Sequence, residues 1–154
     1  MKTLFIITLS LTLFSCGFKP INEKGVSLIH LQKIDITGEK RIGYVLKNNI
    51  LLISDKNSAN KYRAVIQVEK QKNSKIKNKA GKIIRYNLLL KVNLQLTDII
   101  NNTEMKKQFL RDLDYNVSDI HSDTINNENN AIKNIIQQIS EDMNNFLSLS
   151  LRNK

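Results

Sequence analysis

The stretch from Ile84 to Leu96 constrains the fold more than any other part of the sequence, because apolar residues occupy every second position along it. A period of two places successive side chains on opposite faces of a β-strand, whereas a helix repeats every 3.6 residues. We therefore predict a long strand with one buried face, and hence a sheet that other elements must cover. Its apolar face is predicted to consist of Ile84, Tyr86, Leu88, Leu90, Val92, Leu94 and Leu96.

Three further stretches predict the rest of the sheet. Tyr62 to Lys70 alternates with the same period, and a weaker pattern predicts a strand near Ile29 to Thr37. Met105 to Val117 also alternates, but Lys107 and Arg111 interrupt its apolar face. Charges on that face can reach water at the border of a sheet, so this strand is predicted to be an edge strand.

Two stretches instead carry apolar residues at helical spacing, one between Glu39 and Ser54 and the longer one between Ser122 and Ser148. The resulting order is β-α-β-β-β-α. We predict an α+β fold, a two-layer sandwich of a four-stranded, mostly antiparallel sheet with two helices on one face. This arrangement buries one sheet face and two helix stripes. A single sandwich domain is expected over residues 29–154.

The beginning of the sequence has a different character. Lys2 is followed by an uncharged apolar run from Leu4 to Phe14, which is shorter than the roughly 20 apolar residues that cross a bilayer. A positive residue followed by a short apolar run is typical of a signal peptide. We predict a lipoprotein signal peptide over residues 1–15 and a lipid-anchored linker over residues 16–28.

The tetrad Leu13-Phe14-Ser15-Cys16 resembles a bacterial lipobox, in which the cysteine is acylated and becomes the first mature residue. Cys16 is the only cysteine of the sequence and so cannot form an internal disulfide. A buried small hydrophobe is the alternative role for it. Each buried methylene of an acyl chain contributes about 0.8 kcal/mol, so several chains would hold the protein on a bilayer. No cofactor is expected other than this covalent lipid.

The formal net charge of +10 indicates an anionic partner. Export makes nucleic acid an unsuitable partner, which leaves a phospholipid surface or a phosphorylated glycolipid. The sequence is also rich in Lys, Asn and Ile together, which an AT-rich genome encodes at indifferent surface positions, so composition by itself leaves both explanations open. There is no nucleophile motif, no spaced set of metal ligands and no glycine-rich phosphate loop. We therefore predict a binding protein, not an enzyme, with no metal site.

One family resembles this combination of features. The junction Cys16-Gly17-Phe18-Lys19-Pro20-Ile21, the element order, the long third strand and the long terminal helix together are similar to the LPS-assembly lipoprotein family. The resemblance implies an outer-membrane lipoprotein that plugs the β-barrel lipopolysaccharide (LPS) translocon, helps it assemble and binds LPS in transit. The implied partners are the barrel protein, LPS and the membrane reached through the lipid anchor. The implied location is the outer membrane, with the protein facing the periplasm and the barrel lumen.

The polar stretch from Gln71 to Lys82 separates two predicted strands and is interpreted as a hairpin loop. Lysine and arginine form charge-assisted hydrogen bonds with phosphates such as those of LPS. We therefore expect this loop to face LPS or the inner wall of the barrel, with a solvated basic turn as the alternative. The candidate contact residues are Lys72, Lys75, Lys77, Lys79, Lys82 and Arg85. The alternative function is a lipoprotein that assembles other outer-membrane machinery without contacting glycolipid.

Overall fold

The order of elements follows the predicted β-α-β-β-β-α pattern. A computed structural model describes residues 29–151, so the predicted signal peptide and linker, with Cys16, lie outside the described residues. The elements are β1 (His30–Gly38), α1 (Lys40–Leu51), β2 (Lys61–Lys77), β3 (Ile83–Asp98), β4 (Glu104–Asn116) and α2 (His121–Leu151).

The four strands form one sheet in the order β1-β2-β3-β4. β1 runs parallel to β2, and α1 is the crossover that connects them, as a parallel pair requires. The pairs β2–β3 and β3–β4 are antiparallel. The predicted α+β sandwich with a mostly antiparallel sheet is therefore confirmed.

The core lies between one face of the sheet and the two helices. Five alternating residues of β3 are at most 1% exposed: Leu88, Leu90, Val92, Leu94 and Leu96. They are covered by buried helix residues that include Leu46 and Ile50 of α1 and Ile139 and Met143 of α2. The alternation that predicted β3 thus corresponds to its buried face. Ile84 is the exception at 40% exposure, because it lies beyond Tyr86 near the end of the strand.

The opposite face of the sheet is mostly polar, although Val65, Leu89 and Leu110 also lie on it. The amide of Asn93 donates to Gln67 at 3.4 Å, and Gln108 donates to Asn93 at 2.9 Å, which joins the three antiparallel strands. Lys91 pairs with Glu69 at 3.2 Å across β2 and β3. Such cross-strand pairs stabilise a sheet while leaving its face hydrated.

β4 is an edge strand, as predicted. Lys107 is exposed, and the guanidinium of Arg111 contacts the carboxylate of Asp142 in α2 at 2.6 Å. The two charges that interrupt the apolar face of β4 therefore reach solvent and a helix carboxylate, so neither is buried without a partner.

Candidate functional site

The predicted loop from Gln71 to Lys82 is wrong over its first half, because β2 continues to Lys77. The ladder with β3 extends to the pair Lys77 and Ile83, so the backbone groups of this segment are hydrogen-bonded within the sheet. The side chains from Lys70 to Lys77 are exposed on both faces. Without a buried face this segment has no alternation of apolar and polar residues, which is the sequence signal of a half-buried strand.

A tight turn covers only residues 78–82. The side-chain oxygen of Asn78 accepts hydrogen bonds from the backbone amides of Ala80 at 3.0 Å and Lys82 at 2.9 Å. Gly81 has a φ of +79°, a conformation that glycine adopts readily. We call this turn, together with Ile76, Lys77 and Ile84, the hairpin end.

The six predicted contact residues lie on the distal part of this hairpin, but they do not share one surface. Lys72 is paired with Leu88 and therefore lies on the face that the helices cover. A β-bulge follows Ser74, and Lys75 contacts Asp114, whose cross-strand partner Asn87 lies on the open face. Lys77 ends β2, Lys79 and Lys82 belong to the turn, and Arg85 donates from Nε to Asn116 at 3.0 Å.

Three of these lysines, Lys72, Lys75 and Lys82, are already paired with carboxylates. Lys75 contacts Asp114 at 2.6 Å, and Lys82 contacts Asp119 at 2.9 Å. Hydrogen bonds from Lys75 and Asn87 lower the pKa of Asp114, and the hydrogen bond from Lys82 lowers that of Asp119. A phosphate that bound these lysines would have to compete with the carboxylates.

Lys72 has the most contacts of the six. Its ammonium group lies 2.6 Å from Glu128 of α2 and 4.5 Å from the ring centroid of Tyr86. The rings of Tyr86 and Tyr115 stack with centroids 5.7 Å apart, and the Tyr115 hydroxyl donates to Glu128 at 2.8 Å. Burial favours a lower pKa for Lys72, but hydrogen bonds to Glu128 and Tyr115 outweigh it and leave the pKa raised. Lys72 therefore joins β2 to the neighbouring strands and to α2, and a ligand would have to compete with Glu128 for its ammonium group.

The cations without an ion pair among residues 29–151 at the hairpin end are Lys77 and Lys79. Exposed isoleucines lie close to them. Ile76 is 39% exposed and Ile84 is 40% exposed, and the carbonyl of Ile84 accepts from Val117, which places the exposed Ile120 at the same end. Cations next to exposed apolar side chains form an amphipathic surface, which is a common feature of interaction sites. The apolar component was not predicted.

Within residues 29–151, no group of three His, Cys, Asp or Glu side chains is arranged to hold a metal ion. None of the helices in that range combines the length and apolar character needed to cross a membrane.

Comparison with known proteins identifies the fold. No protein-family model matches the sequence, and no curated protein matches it either. A solved structure of a candidate lipoprotein from Caulobacter crescentus CB15 has a TM-score of 0.60 at 18% identity, covering 84% of this chain and 95% of that one. Rare lipoprotein B from Shewanella oneidensis has a TM-score of 0.51 at 8% identity, covering 79% and 94%. The chain therefore shares its fold with proteins described as bacterial lipoproteins.

Proposed function

We propose that this chain is a non-enzymatic outer-membrane lipoprotein, anchored through Cys16, that plugs and helps assemble the β-barrel LPS translocon and binds LPS in transit. The observation that carries the proposal is the fold shared with rare lipoprotein B over 94% of that protein. The lipobox-like tetrad ending at Cys16 supports the anchor. The resemblance to the LPS-assembly lipoprotein family supports the translocon as partner.

The two faces of the domain suit a plug. The helices cover one face of the sheet, while the open face presents amides and charges such as Gln67, Asn93 and Gln108. Polar side chains of this kind can exchange hydrogen bonds with a hydrated barrel wall without the cost of burying unpaired groups. The open face of the sheet is therefore the surface we assign to the barrel.

The hairpin end is the surface we assign to LPS. Lys77 and Lys79 offer cations that no carboxylate of residues 29–151 neutralises, and Ile76 and Ile84 lie beside them. Phosphates bind the ammonium groups and acyl chains contact the isoleucines. This assignment narrows the six predicted residues to Lys77 and Lys79, whose side chains form neither an ion pair nor a hydrogen bond within residues 29–151, whereas Arg85 donates to Asn116.

We predict that the double substitution K77Q/K79Q weakens LPS binding by the full-length chain about tenfold and reduces its salt dependence. Binding is measured by titration at several salt concentrations. The control is K56Q/K61Q, which removes the same charge from two exposed lysines near the opposite end of β2. Unchanged affinity in K77Q/K79Q, or an equal loss in the control, would remove the hairpin end from the mechanism.

The second candidate function is assembly of other outer-membrane machinery without glycolipid contact. The observation that favours it is the pairing of Lys72, Lys75 and Lys82 with carboxylates, which leaves less positive charge for a phosphate. Purification from native membranes discriminates the two functions. Recovery of the LPS translocon barrel supports the first function, and recovery of a different outer-membrane complex supports the second.

A further inference from the structure

A groove of about 460 Å³ runs between α1 and α2 on the helix side of the molecule. Its floor is apolar and comes from both helices. Ile42 and Ile136 are buried there, and Val45 is 42% exposed. The groove therefore has a buried apolar base and is open to solvent. Ile132 completes the apolar lining.

The helical repeat explains why these residues share the groove. On α2, Asn129, Ile132, Lys133 and Ile136 follow one another at intervals of three, one and three residues, which places them on one helix face. On α1, Ile42 and Val45 are three residues apart. Each helix therefore contributes an apolar stripe bordered by a polar residue, and the groove lies where the two stripes meet.

The rim of the groove is cationic. Arg41, Lys70 and Lys133 line it, and Glu39 is the carboxylate among the lining residues. Within residues 29–151 the side chains of these three cations form no ion pair or hydrogen bond. Lys70 acts through space on Glu128, but that carboxylate already accepts hydrogen bonds from Lys72 and Tyr115.

One further feature strengthens the positive field at this rim. α1 begins at Lys40 beside the groove, and the positive end of its helix dipole adds to the cations. The contrast with the hairpin is informative, because three of the hairpin lysines are neutralised by carboxylates while the groove cations are not. The groove therefore combines unneutralised positive charge with an apolar floor.

We propose that this groove binds a single-chain lipid phosphate of the lysophospholipid class. The acyl chain lies on Ile42, Val45 and the two isoleucines of α2, and the phosphate accepts charge-assisted hydrogen bonds at the rim. The volume lies in the lower part of the range of roughly 300 to 1,000 Å³ for small-molecule sites, which suits one chain and not several. The proposal goes beyond the translocon function and does not depend on it, because it uses no residue of the hairpin end.

The test is a titration of the purified full-length chain with dodecyl phosphate below its micelle concentration, followed by NMR of methyl groups. Dodecyl phosphate is expected to shift the methyl signals of Val45 and Ile132. Inorganic phosphate lacks the chain and is expected to leave those signals unchanged. Dodecyl maltoside lacks the charge and is expected to bind about tenfold more weakly. Equal binding of the maltoside, or shifts confined to other methyl groups, would overturn the proposal.

Two variants separate the charge from the apolar floor. The double substitution R41Q/K133Q is expected to raise the Kd for dodecyl phosphate about tenfold while the thermal midpoint stays near that of the unsubstituted chain, since both side chains are exposed. Val45→Asp places a carboxylate on the floor and is expected to weaken binding at least as much. K56Q/K61Q, with the same loss of charge as the first variant, is expected to bind normally. Unchanged affinity in R41Q/K133Q, or a matching loss in K56Q/K61Q, would contradict the proposal.

Discussion

The ammonium group of Lys72 lies within reach of Glu128 on α2 and of the rings of Tyr86 and Tyr115 on the two strands beyond its own. One side chain therefore contacts β3, β4 and α2 from β2. The side chain of Lys72 is 37% exposed and that of Glu128 is 22% exposed, so solvent screens the pair in part. The contribution to stability should accordingly be modest.

We predict that Glu128→Gln lowers the free energy of unfolding by about 1 kcal/mol, because the ion pair and the full acceptor strength for Tyr115 are lost together. The measurement is urea denaturation near neutral pH. Glu141→Gln is the control, since Glu141 lies on the same helix, is exposed and accepts a single hydrogen bond from Gln137. Equal effects of the two substitutions would show that the cluster around Lys72 contributes nothing specific.

The same pair predicts a dependence on pH. Burial favours a higher pKa for Glu128, but hydrogen bonds from Lys72 and Tyr115 outweigh it and leave the pKa lowered. A lowered folded-state pKa gives stability that is present above the unfolded-state pKa and lost as pH falls through the folded-state pKa. The difference in free energy of unfolding between the unsubstituted chain and Glu128→Gln should therefore shrink as the pH falls from about 7 to about 3. Denaturation curves at both pH values measure this difference. A difference that does not change with pH would contradict the prediction.

Gly38 and Gly81 both have a φ of +79° but differ in their surroundings. A Cβ at Gly38 would overlap the backbone carbonyl of Val68, whereas a Cβ at Gly81 would meet nothing within 4 Å. Alanine in a left-handed conformation costs about 1 kcal/mol, and a clash with a hydrogen-bonded backbone adds to it. The Val68 carbonyl is so bonded, since it accepts from Glu39 at 3.0 Å.

We therefore predict that Gly38→Ala destabilises the domain by about 3 kcal/mol and Gly81→Ala by about 1 kcal/mol. Both are measured as shifts in the denaturation midpoint at constant slope. Gly81→Ala serves as the matched control for backbone conformation. If both substitutions cost the same, the close approach of β1 to β2 at Gly38 is not a constraint on the fold.

At the level of elements, β2 divides into two halves with different surroundings. Tyr62, Ala64, Ile66 and Val68 are buried on the helix side, whereas the half that follows Glu69 is exposed on both faces. The backbone ladder with β3 runs through both halves, with register shifts between Ser74 and Ile76 and between Ile76 and Lys77. Hydrogen bonding is thus similar along the strand, while burial is not.

We predict that amide hydrogens from Gln71 to Lys77 exchange with solvent much faster than those from Ala64 to Val68. Local opening costs little free energy where few apolar contacts break, and the outer half of β2 buries almost none. Native-state hydrogen exchange measures this residue by residue. The amides of Leu88 to Leu96 in β3 provide the internal reference for global unfolding. Uniform protection along β2 would show that the hairpin unfolds only with the whole domain.

On the scale of the molecule, the start of the described chain and the hairpin turn lie at opposite ends of β2. The described chain enters at Ile29 and His30, beside Asn60 and Lys61, and the hairpin turn lies at the far end of a 17-residue strand. A strand of that length spans about 50 Å. A lipid anchor at Cys16 would therefore be attached to the end of the domain opposite the hairpin turn.

We predict that Cys16→Ser releases the protein from membranes, because the acyl chains on the thiol are the expected source of its membrane affinity. Fractionation of cells measures the release, and mass spectrometry of the unsubstituted protein should find residues 1–15 removed and the cysteine acylated. K56Q/K61Q tests whether surface charge contributes to membrane binding and is expected to remain membrane-bound. An intact N-terminus with an unmodified thiol would contradict the anchor.

The sequence by itself determined those parts of the fold in which burial leaves a periodic trace. The alternation from Ile84 to Leu96 and the helical spacing of the two apolar stripes record which side faces the core, so the element order and the sandwich could be predicted. The charges at Lys107 and Arg111 likewise identified β4 as an edge strand. The lipobox-like tetrad is likewise a local sequence pattern, and its processing and acylation stay a prediction.

Only the tertiary structure decided how charges are paired and where surfaces meet. Lys72 is joined to Glu128 and Lys75 to Asp114 across 56 and 39 residues, and no local pattern records partners so far apart. The outer half of β2 has no buried face, so its strand character comes from the ladder with β3 and not from its composition. The groove between the helices arises where stripes from α1 and α2 meet. Periodicity reports which side of an element is buried, whereas the identity of the neighbour depends on packing in three dimensions.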